Sequence, residues 1–257
     1  MCELFAVSAK KKIKLNFYLE EFFKHSVEHS SGWGLIAFDA EDVKVEKDDQ
    51  RALDSHFLKE KLSKDVVSSD YFAHIRRATV GEISIKNNHP FVKKDALNQD
   101  WYLMHNGTIF ESEELAKYQY QQHGTTDSER ILFFLIDKVN ELIHRGGRQL
   151  TLEEKCDIMN YLVLELSAGN KLNLIVYDGE YYYIHKNQEE TLYYKEMDQT
   201  TIFSTTALDD EKWEEVPMNQ LQVYKEGVCI YRGTVHQNTY IYDEGHYKYL
   251  YMSYASM

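Results

Sequence analysis

Apolar residues gather at the very start of the chain, where Leu4 to Val7 form an unbroken run, so Cys2 to Ser8 is predicted as a strand beginning with the first residues. The next apolar positions, Phe17, Leu19, Phe22, Phe23 and Val27, follow helical spacing and predict a helix over Leu15 to His29. A glycine turn at Gly32 then leads into an apolar strand from Trp33, and the acidic segment Glu41 to Asp49 reads as exposed. A short helix is predicted from Ser55 to Leu62, strand character over Val66 to Arg76, and another strand over Trp101 to His105 ending in Asn106-Gly107. Ser112 with Glu113 and Glu114 resembles a helix start. Asp127 is a candidate cap for a long helix reaching His144, and Thr151 begins a further helix of about four turns that ends near Gly169.

From Lys171 the pattern becomes β again. Strands are predicted over Leu172 to Tyr177 and Tyr181 to His185, joined by a turn at Asp178-Gly179, then over Thr201–Ser204, Leu221–Lys225 and Val228–Arg232. Tyrosines at 240, 242, 247, 249 and 251 alternate in a way that predicts a final hairpin turning near Glu244-Gly245, a half-buried sheet face and a candidate homodimer edge. Strands first, helices in the middle and strands last imply an α+β arrangement of layered sheets covered by helices, rather than an alternating βαβ fold.

Composition narrows the function. A length of 257 residues with two prolines and no Gly/Ser-rich linker suits one large domain, residues 1–257. The formal charge of −13 argues against nucleic-acid binding, which needs clustered Lys and Arg, and the one basic cluster, Lys10 to Lys12 with Lys14, reads as a solvated turn. No apolar run reaches membrane-spanning length, so no membrane partner is expected. Three cysteines, Cys2, Cys156 and Cys229, show no CxxC spacing, which suggests neither a disulfide framework nor a metal site and fits a reducing, cytoplasmic setting. Cys156 and Cys229 read as inert core thiols.

Cys2 carries the candidate chemistry. Removal of Met1 would leave a thiol and a free α-amine on one residue, with ordinary pKa values of about 8.5 and about 8, so one residue can supply nucleophile and general base. Four later segments add to it. His74 to Gly81 sets Arg76 at a strand end beside a glycine turn, where a guanidinium can grip a small carboxylate in bidentate fashion or belong with Arg77 to a surface arginine pair. Asn88-His89-Pro90-Phe91 reads as a rigid loop in which proline holds His89 extended, either as a structural turn or as part of a site. His105-Asn106-Gly107-Thr108 reads as a turn offering a side-chain amide and a backbone N–H side by side, as a tetrahedral oxyanion requires. Thr125 to Glu129 opens a long helix, where Asp127 serves either as a helix cap or as a receptor for an ammonium group. His74 and His105 read as packed hydrogen-bonding groups.

In chain order, Cys2, His74 to Gly81, Asn87-Asn88-His89-Pro90, His105-Asn106-Gly107 and Thr126-Asp127-Ser128-Glu129 closely resemble the motifs of the class II glutamine amidotransferases, which are N-terminal-nucleophile hydrolases. Ser31 to Leu35, and Ser204 to Leu208 through Trp213 to Pro217 and Leu221, resemble the stand-alone, single-domain branch. The resemblance implies a four-layer αββα fold. It implies hydrolysis of the γ-amide of glutamine or a γ-glutamyl relative through a Cys2 thioester. By the same resemblance Asn106 and Gly107 form the oxyanion hole, Arg76 holds the α-carboxylate and Asp127 the α-ammonium, while Thr79 and His89 line the pocket. No metal or organic cofactor is implied. The ammonia would pass to a separate synthase subunit or be released by simple hydrolysis. Arg77 stands where amidosugar-forming members carry an aromatic residue and Val80 where they carry histidine, which leaves the γ-glutamyl substrate open. The rival expectation is a silent domain that senses glutamine or binds a partner.

Overall fold

A computed structural model describes residues 2–41, 43–78, 81–110, 112–243 and 245. Two antiparallel sheets lie face to face. In chain order the strands are β1 (Glu3–Lys14), β2 (Trp33–Ala37), β3 (Glu46–Asp48), β4 (Val67–Ile75), β5 (Phe91–Lys94), β6 (Asp100–Thr108), β7 (Lys171–Tyr177), β8 (Tyr182–His185), β9 (Tyr193–Met197), β10 (Thr200–Ser204), β11 (Glu214–Glu215), β12 (Gln222–Lys225) and β13 (Val228–Arg232). The first sheet runs β11-β9-β10-β1-β4-β2-β3 and the second β13-β12-β8-β7-β6-β5. The helices are α1 (Asn16–Lys24), α2 (His56–Leu62), α3 (Glu113–Ala116), α4 (Asp127–Gly146) and α5 (Leu152–Ser167).

Alternation of side chains sorts these elements into layers. Phe5 and Val7 of β1 and Tyr71, Ala73 and Ile75 of β4 point outward and pack on Leu19, Phe22 and Phe23 of α1 and Leu58 of α2. Leu4, Ala6, Ile36 and Phe72, one residue out of phase, point inward and meet Tyr102, Met104, Ile175, Tyr177 and Tyr182 of the second sheet. The outer face of that sheet, with Trp101, Leu103, Leu174 and Val176, packs on α4 and α5. The order of layers is therefore helix, sheet, sheet, helix: the αββα sandwich of the N-terminal-nucleophile type.

Several local expectations needed correction. β1 does not stop at Ser8 but continues through Lys10, Lys11 and Lys12, which are exposed residues of a strand rather than a turn; its register with β4 shifts between Ser8 and Ile13. α1 ends at Lys24 and is followed by a 3-10 turn, so Phe17 and Val27 face solvent and only Leu19, Phe22 and Phe23 of the expected stripe are buried. The acidic segment contributes Glu46–Asp48 to the first sheet as β3, paired with β2. Asp127 is not the cap of α4; Thr126 occupies that position and Asp127 opens the first turn. Cys229 sits on the edge strand β13 and is only half-buried, unlike Cys156, whose thiol burial pushes up to about 11. Of the tyrosine tail, Tyr240 and Tyr242 lie in an irregular segment, and Glu244, Tyr247, Tyr249 and Tyr251 are outside the described residues.

Candidate active site

β1 lies in the middle of its sheet, with β4 on one side and β10 on the other. Glu3 pairs with Ile75 and Phe5 with Ser204, and the Leu4 N–H donates to Thr205 Oγ1 at 2.8 Å, so the chain is held on both flanks from its third residue. Carrying the β1–β4 register one step further sets Cys2 beside Arg76. Both residues share parity with Leu4, Ala6 and Phe72, which point between the sheets. Cys2 is half-buried, and its Sγ donates to the Arg77 carbonyl at 3.8 Å. Burial pushes the thiol up, Arg76 pulls it down and Asp127 adds to the rise, so sulfur, guanidinium and carboxylate share one electrostatic neighbourhood.

Across the gap, β6 brings Asn106 to the inner face, in phase with Tyr102 and Met104. Here the structure differs from the sequence expectation. Asn106-Gly107 is not a turn: β6 runs through to Thr108, with Asn106 opposite Asn173, Gly107 opposite Leu172 and Thr108 opposite Lys171. The amide and the neighbouring N–H are thus offered by extended backbone. Gly107 is required by close approach, since a Cβ there would collide with the Lys171 carbonyl and the His105 ring. Asn106 Oδ1 and Thr108 Oγ1 are buried and have no hydrogen-bond partner among the described residues.

Arg76 is buried, and loss of hydration lowers its pKa while the charges of Cys2 and Asp127 raise it. Nη1 donates to the Glu82 carbonyl at 2.7 Å. Asn87 Nδ2 donates to the same carbonyl at 2.9 Å and its Oδ1 accepts from the Thr125 N–H at 2.7 Å, which ties the loop after β4 to the residues before α4. Asp127 accepts from the Ile109 N–H at 2.7 Å and from Ser128 Oγ at 3.3 Å, fastening the end of β6 to the start of α4. Its place in the first helical turn complements the macrodipole. His105 makes a second link, with Nδ1 3.0 Å from Ser128 Oγ and Nε2 3.2 Å from the Lys171 carbonyl.

His89 lies 4.3 Å, ring to ring, from His74, and neither ring has a hydrogen-bond partner among the described residues. Burial holds both well below the usual histidine range. Thr79 and Val80 lie outside the described residues. Cys2, Arg76, Asn106 and Asp127 are therefore brought to one end of the gap, while His89 lies beside His74. Sequence reasoning overlooked Lys171, a lysine fully buried at the mouth of an apolar strand; its signal was a long cation immediately before an unbroken apolar run. Among the described residues no cluster of His, Cys, Asp or Glu could hold a metal ion, and no helix is long and apolar enough to cross a membrane.

This architecture, a two-sheet sandwich with a cysteine at the start of a central strand, defines the N-terminal-nucleophile class. Residues 1–197 match the profile of the class-II glutamine amidotransferases, and the chain belongs to that family. It is an enzyme family that uses the amide of glutamine. An uncharacterized protein of Methanocaldococcus jannaschii is 27% identical over 90% of this chain and 71% of its own length. A Haemophilus influenzae protein provisionally named a glutamine amidotransferase is 26% identical over 72% of this chain, which spans 63% of that relative. A crystal structure of a predicted glutamine amidotransferase from Pseudomonas aeruginosa superposes with a TM-score of 0.59 at 18% identity, covering 90% of this chain and all of that one. Glutamine phosphoribosylpyrophosphate amidotransferase of Bacillus subtilis gives 0.65 at 20% identity, covering 93% of this chain and 50% of that one. At these identities the two structures speak for the fold alone.

Proposed function

We propose that this protein hydrolyses the γ-amide of glutamine, or of a γ-glutamyl relative, with Cys2 as nucleophile once Met1 has been removed. The main support is positional. Cys2 and Asn106 fall on facing inner surfaces of the two sheets, and Arg76 and Asp127 both act on the charge of the sulfur. In this reading the Cys2 α-amine takes the thiol proton and the thiolate attacks the amide carbon. The Asn106 side chain and the Gly107 N–H stabilise the oxyanion, a donor of this kind contributing about 3–4 kcal/mol to the barrier. Collapse returns a proton to the leaving nitrogen, expels ammonia or an amine, and leaves a γ-glutamyl thioester that water hydrolyses to glutamate. Arg76 would pair with the α-carboxylate and Asp127 with the α-ammonium, while Thr79 and His89 shape the pocket.

The chain spans half of the B. subtilis enzyme. In the proposed reaction the ammonia passes to a separate synthase subunit or is simply released. The test is glutamine-dependent ammonia release, measured beside a Cys2→Ala variant on protein whose intact mass is lower by one methionine residue. Equal release by both proteins would reject the proposal and favour a glutamine-sensing domain.

A further inference from the structure

Lys171 faces this gap, and the roles above give it no task. It opens β7 with no exposed surface. It shares parity with Asn173 and Ile175, and Ile175 belongs to the layer between the sheets, so its side chain is directed there too. Thr108 is its direct cross-strand partner, and Asn106 is the diagonal neighbour, at roughly 7–8 Å in such pairings and within reach of a long side chain. Lys171 is anchored at its own backbone, because its carbonyl accepts from His105 Nε2 and packs against Gly107.

The thiol opposite has a problem that this lysine answers. Burial disfavours the Cys2 thiolate, and Asp127 disfavours it further. Arg76 helps, but Nη1 donates to the Glu82 carbonyl and Nη2 to the Gly81 carbonyl, and its role toward substrate competes for the same nitrogens. We propose that Lys171 is the charge partner of the Cys2 sulfur, its ammonium holding the thiolate across the gap between the sheets once the α-amine has taken the thiol proton. This rests on Cys2 being the nucleophile. One proton moves from Sγ to the Cys2 α-amine, and no bond to Lys171 changes. Around the pair, Arg76 favours the thiolate and Asp127 opposes it, and on β6 the lysine's charge opposes protonation of His105. Burial lowers the lysine amine to about 7 and the sulfur's charge raises it, so ammonium and thiolate favour one another near neutrality.

The experiment follows alkylation of Cys2 in the full chain by iodoacetamide between pH 5 and 10, reading the Cys2 peptide by mass spectrometry, in wild type, Lys171→Met and Lys171→Arg. Loss of the cation is expected to raise the apparent thiol pKa by about one unit or more, which is about tenfold slower alkylation at pH 7. The arginine variant is expected to keep wild-type reactivity at pH 6 within about threefold, because a permanent cation still holds the thiolate. A methionine variant that is folded by circular dichroism and has an unshifted profile overturns the proposal. Should that variant not fold, the arginine variant decides, and a loss of about tenfold at pH 6 counts against the pair. Ammonia release from glutamine by the same preparations separates the two readings. A lysine-dependent alkylation profile in a protein without glutaminase activity would reject the proposed reaction and leave the pair standing, whereas active enzyme with an unmoved profile would do the reverse.

Discussion

Adding a single methyl group at Gly107 tests how closely the neighbouring strands β6 and β7 of the second sheet must approach. Gly107 is not among the glycines with positive φ, so alanine is allowed by the backbone and the effect comes from space alone. The new Cβ would stand 2.8 Å from the Lys171 carbonyl carbon and closer still to its oxygen and to His105 Nε2. Carbon atoms in contact sit at about 3.5–4.0 Å, so β6 and β7 must part locally by on the order of 1 Å. Neither obstacle is the free end of a flexible chain: one is backbone inside a ladder, and the other is a ring held between Ser128 and Lys171. Overpacking of this kind costs about 1–3 kcal/mol, which for a chain of this size lowers Tm by roughly 2–12 °C. The same shift moves Asn106 relative to Cys2, and a misplacement of about 1 Å in a catalytic constellation typically costs about 10²-fold in turnover. Gly107→Ala should therefore lose kcat far more than it loses fold, as read by thermal melting beside ammonia release. A variant with wild-type Tm and wild-type kcat would refute the steric argument; one with lowered Tm and normal kcat would refute the placement of this backbone at the reacting centre.

Asn106→Ala is expected to lower kcat by about 10²–10³-fold with little change in KM, because the amide acts on the oxyanion rather than on bound substrate. Arg76→Ala should instead raise KM. Asn87→Ala, which loosens the same Glu82 loop while leaving the cation, separates loop movement from lost carboxylate binding if its KM stays near wild type. At the far end of β7, about 20 Å from the site for seven residues of strand, Asp178 accepts from Lys155 Nζ at 2.7 Å, Tyr183 OH at 3.0 Å and the N–H groups of Glu180 and Tyr181. Asp178→Ala strands a buried ammonium and should cost roughly 3–5 kcal/mol in urea unfolding without altering the kinetics of the folded enzyme. Acid should also destabilise the fold: His185, with Nδ1 2.7 Å from the Leu172 carbonyl and Nε2 2.9 Å from His236 Nε2, is pushed by burial down to about 3, and burial depresses His74 and His89 as well. Below about pH 6.5 the unfolded chain binds protons that these rings refuse, so each costs up to about 1.4 kcal/mol per pH unit. His25 opposes this, since its hydrogen bond to Glu3 raises its pKa and contributes stability that is lost as pH rises. Tm should therefore fall from pH 7 to pH 5, and more steeply in Glu3→Gln; a Tm unchanged or higher at pH 5 would contradict the assignment.

Much of the fold was legible because local and global preferences agree. Thr151 begins α5 as its sequence predicts, closing a capping box with Glu154, and Ser55 and Ser112 accept from Leu58 and Leu115 as helix starts should. The misreadings share one physical cause, tertiary pairing that overrides a local signal. Asn106-Gly107 prefers a turn in isolation, but β6 pairs with β7 continuously from Tyr102 to Thr108, and the dipeptide is drawn into that ladder. Lys10 to Lys12 would be solvated in a free chain, yet they extend β1 because Ile13 and Lys14 regain pairing with Ser68 and Val67. Asp127 reads as a cap by composition, but its carboxylate is taken by the Ile109 N–H, a partner eighteen residues earlier that no local pattern reveals. Lys171 was hidden for the same reason: its significance depends on Thr108 and Cys2, both remote in sequence.

Residues near the start of a chain are ordinarily among its most mobile, which is a poor property for a nucleophile that must meet a carbonyl within a fraction of an ångström. The position of β1 removes this difficulty. Were it an edge strand, pairing on one side only would let its first residues peel away. Between β4 and β10 they are held by Ile75 on one flank and by Ser204 and Thr205 on the other. The opposing groups arrive on a different sheet, so their distance from the sulfur depends on the layer between the sheets and not on any contact with Cys2 itself. That layer is aromatic and closely packed: Phe38 stands 5.0 Å from Phe72 and 4.8 Å from Tyr102, and Tyr177 stands 4.5 Å from Tyr182, ring to ring. Rigid rings resist compression better than flexible aliphatic chains, and interiors at this density transmit displacement instead of absorbing it. The spacing of the site is thus set by residues at the opposite end of the gap, which explains why a site built from groups on two sheets can keep its geometry with few direct links between them.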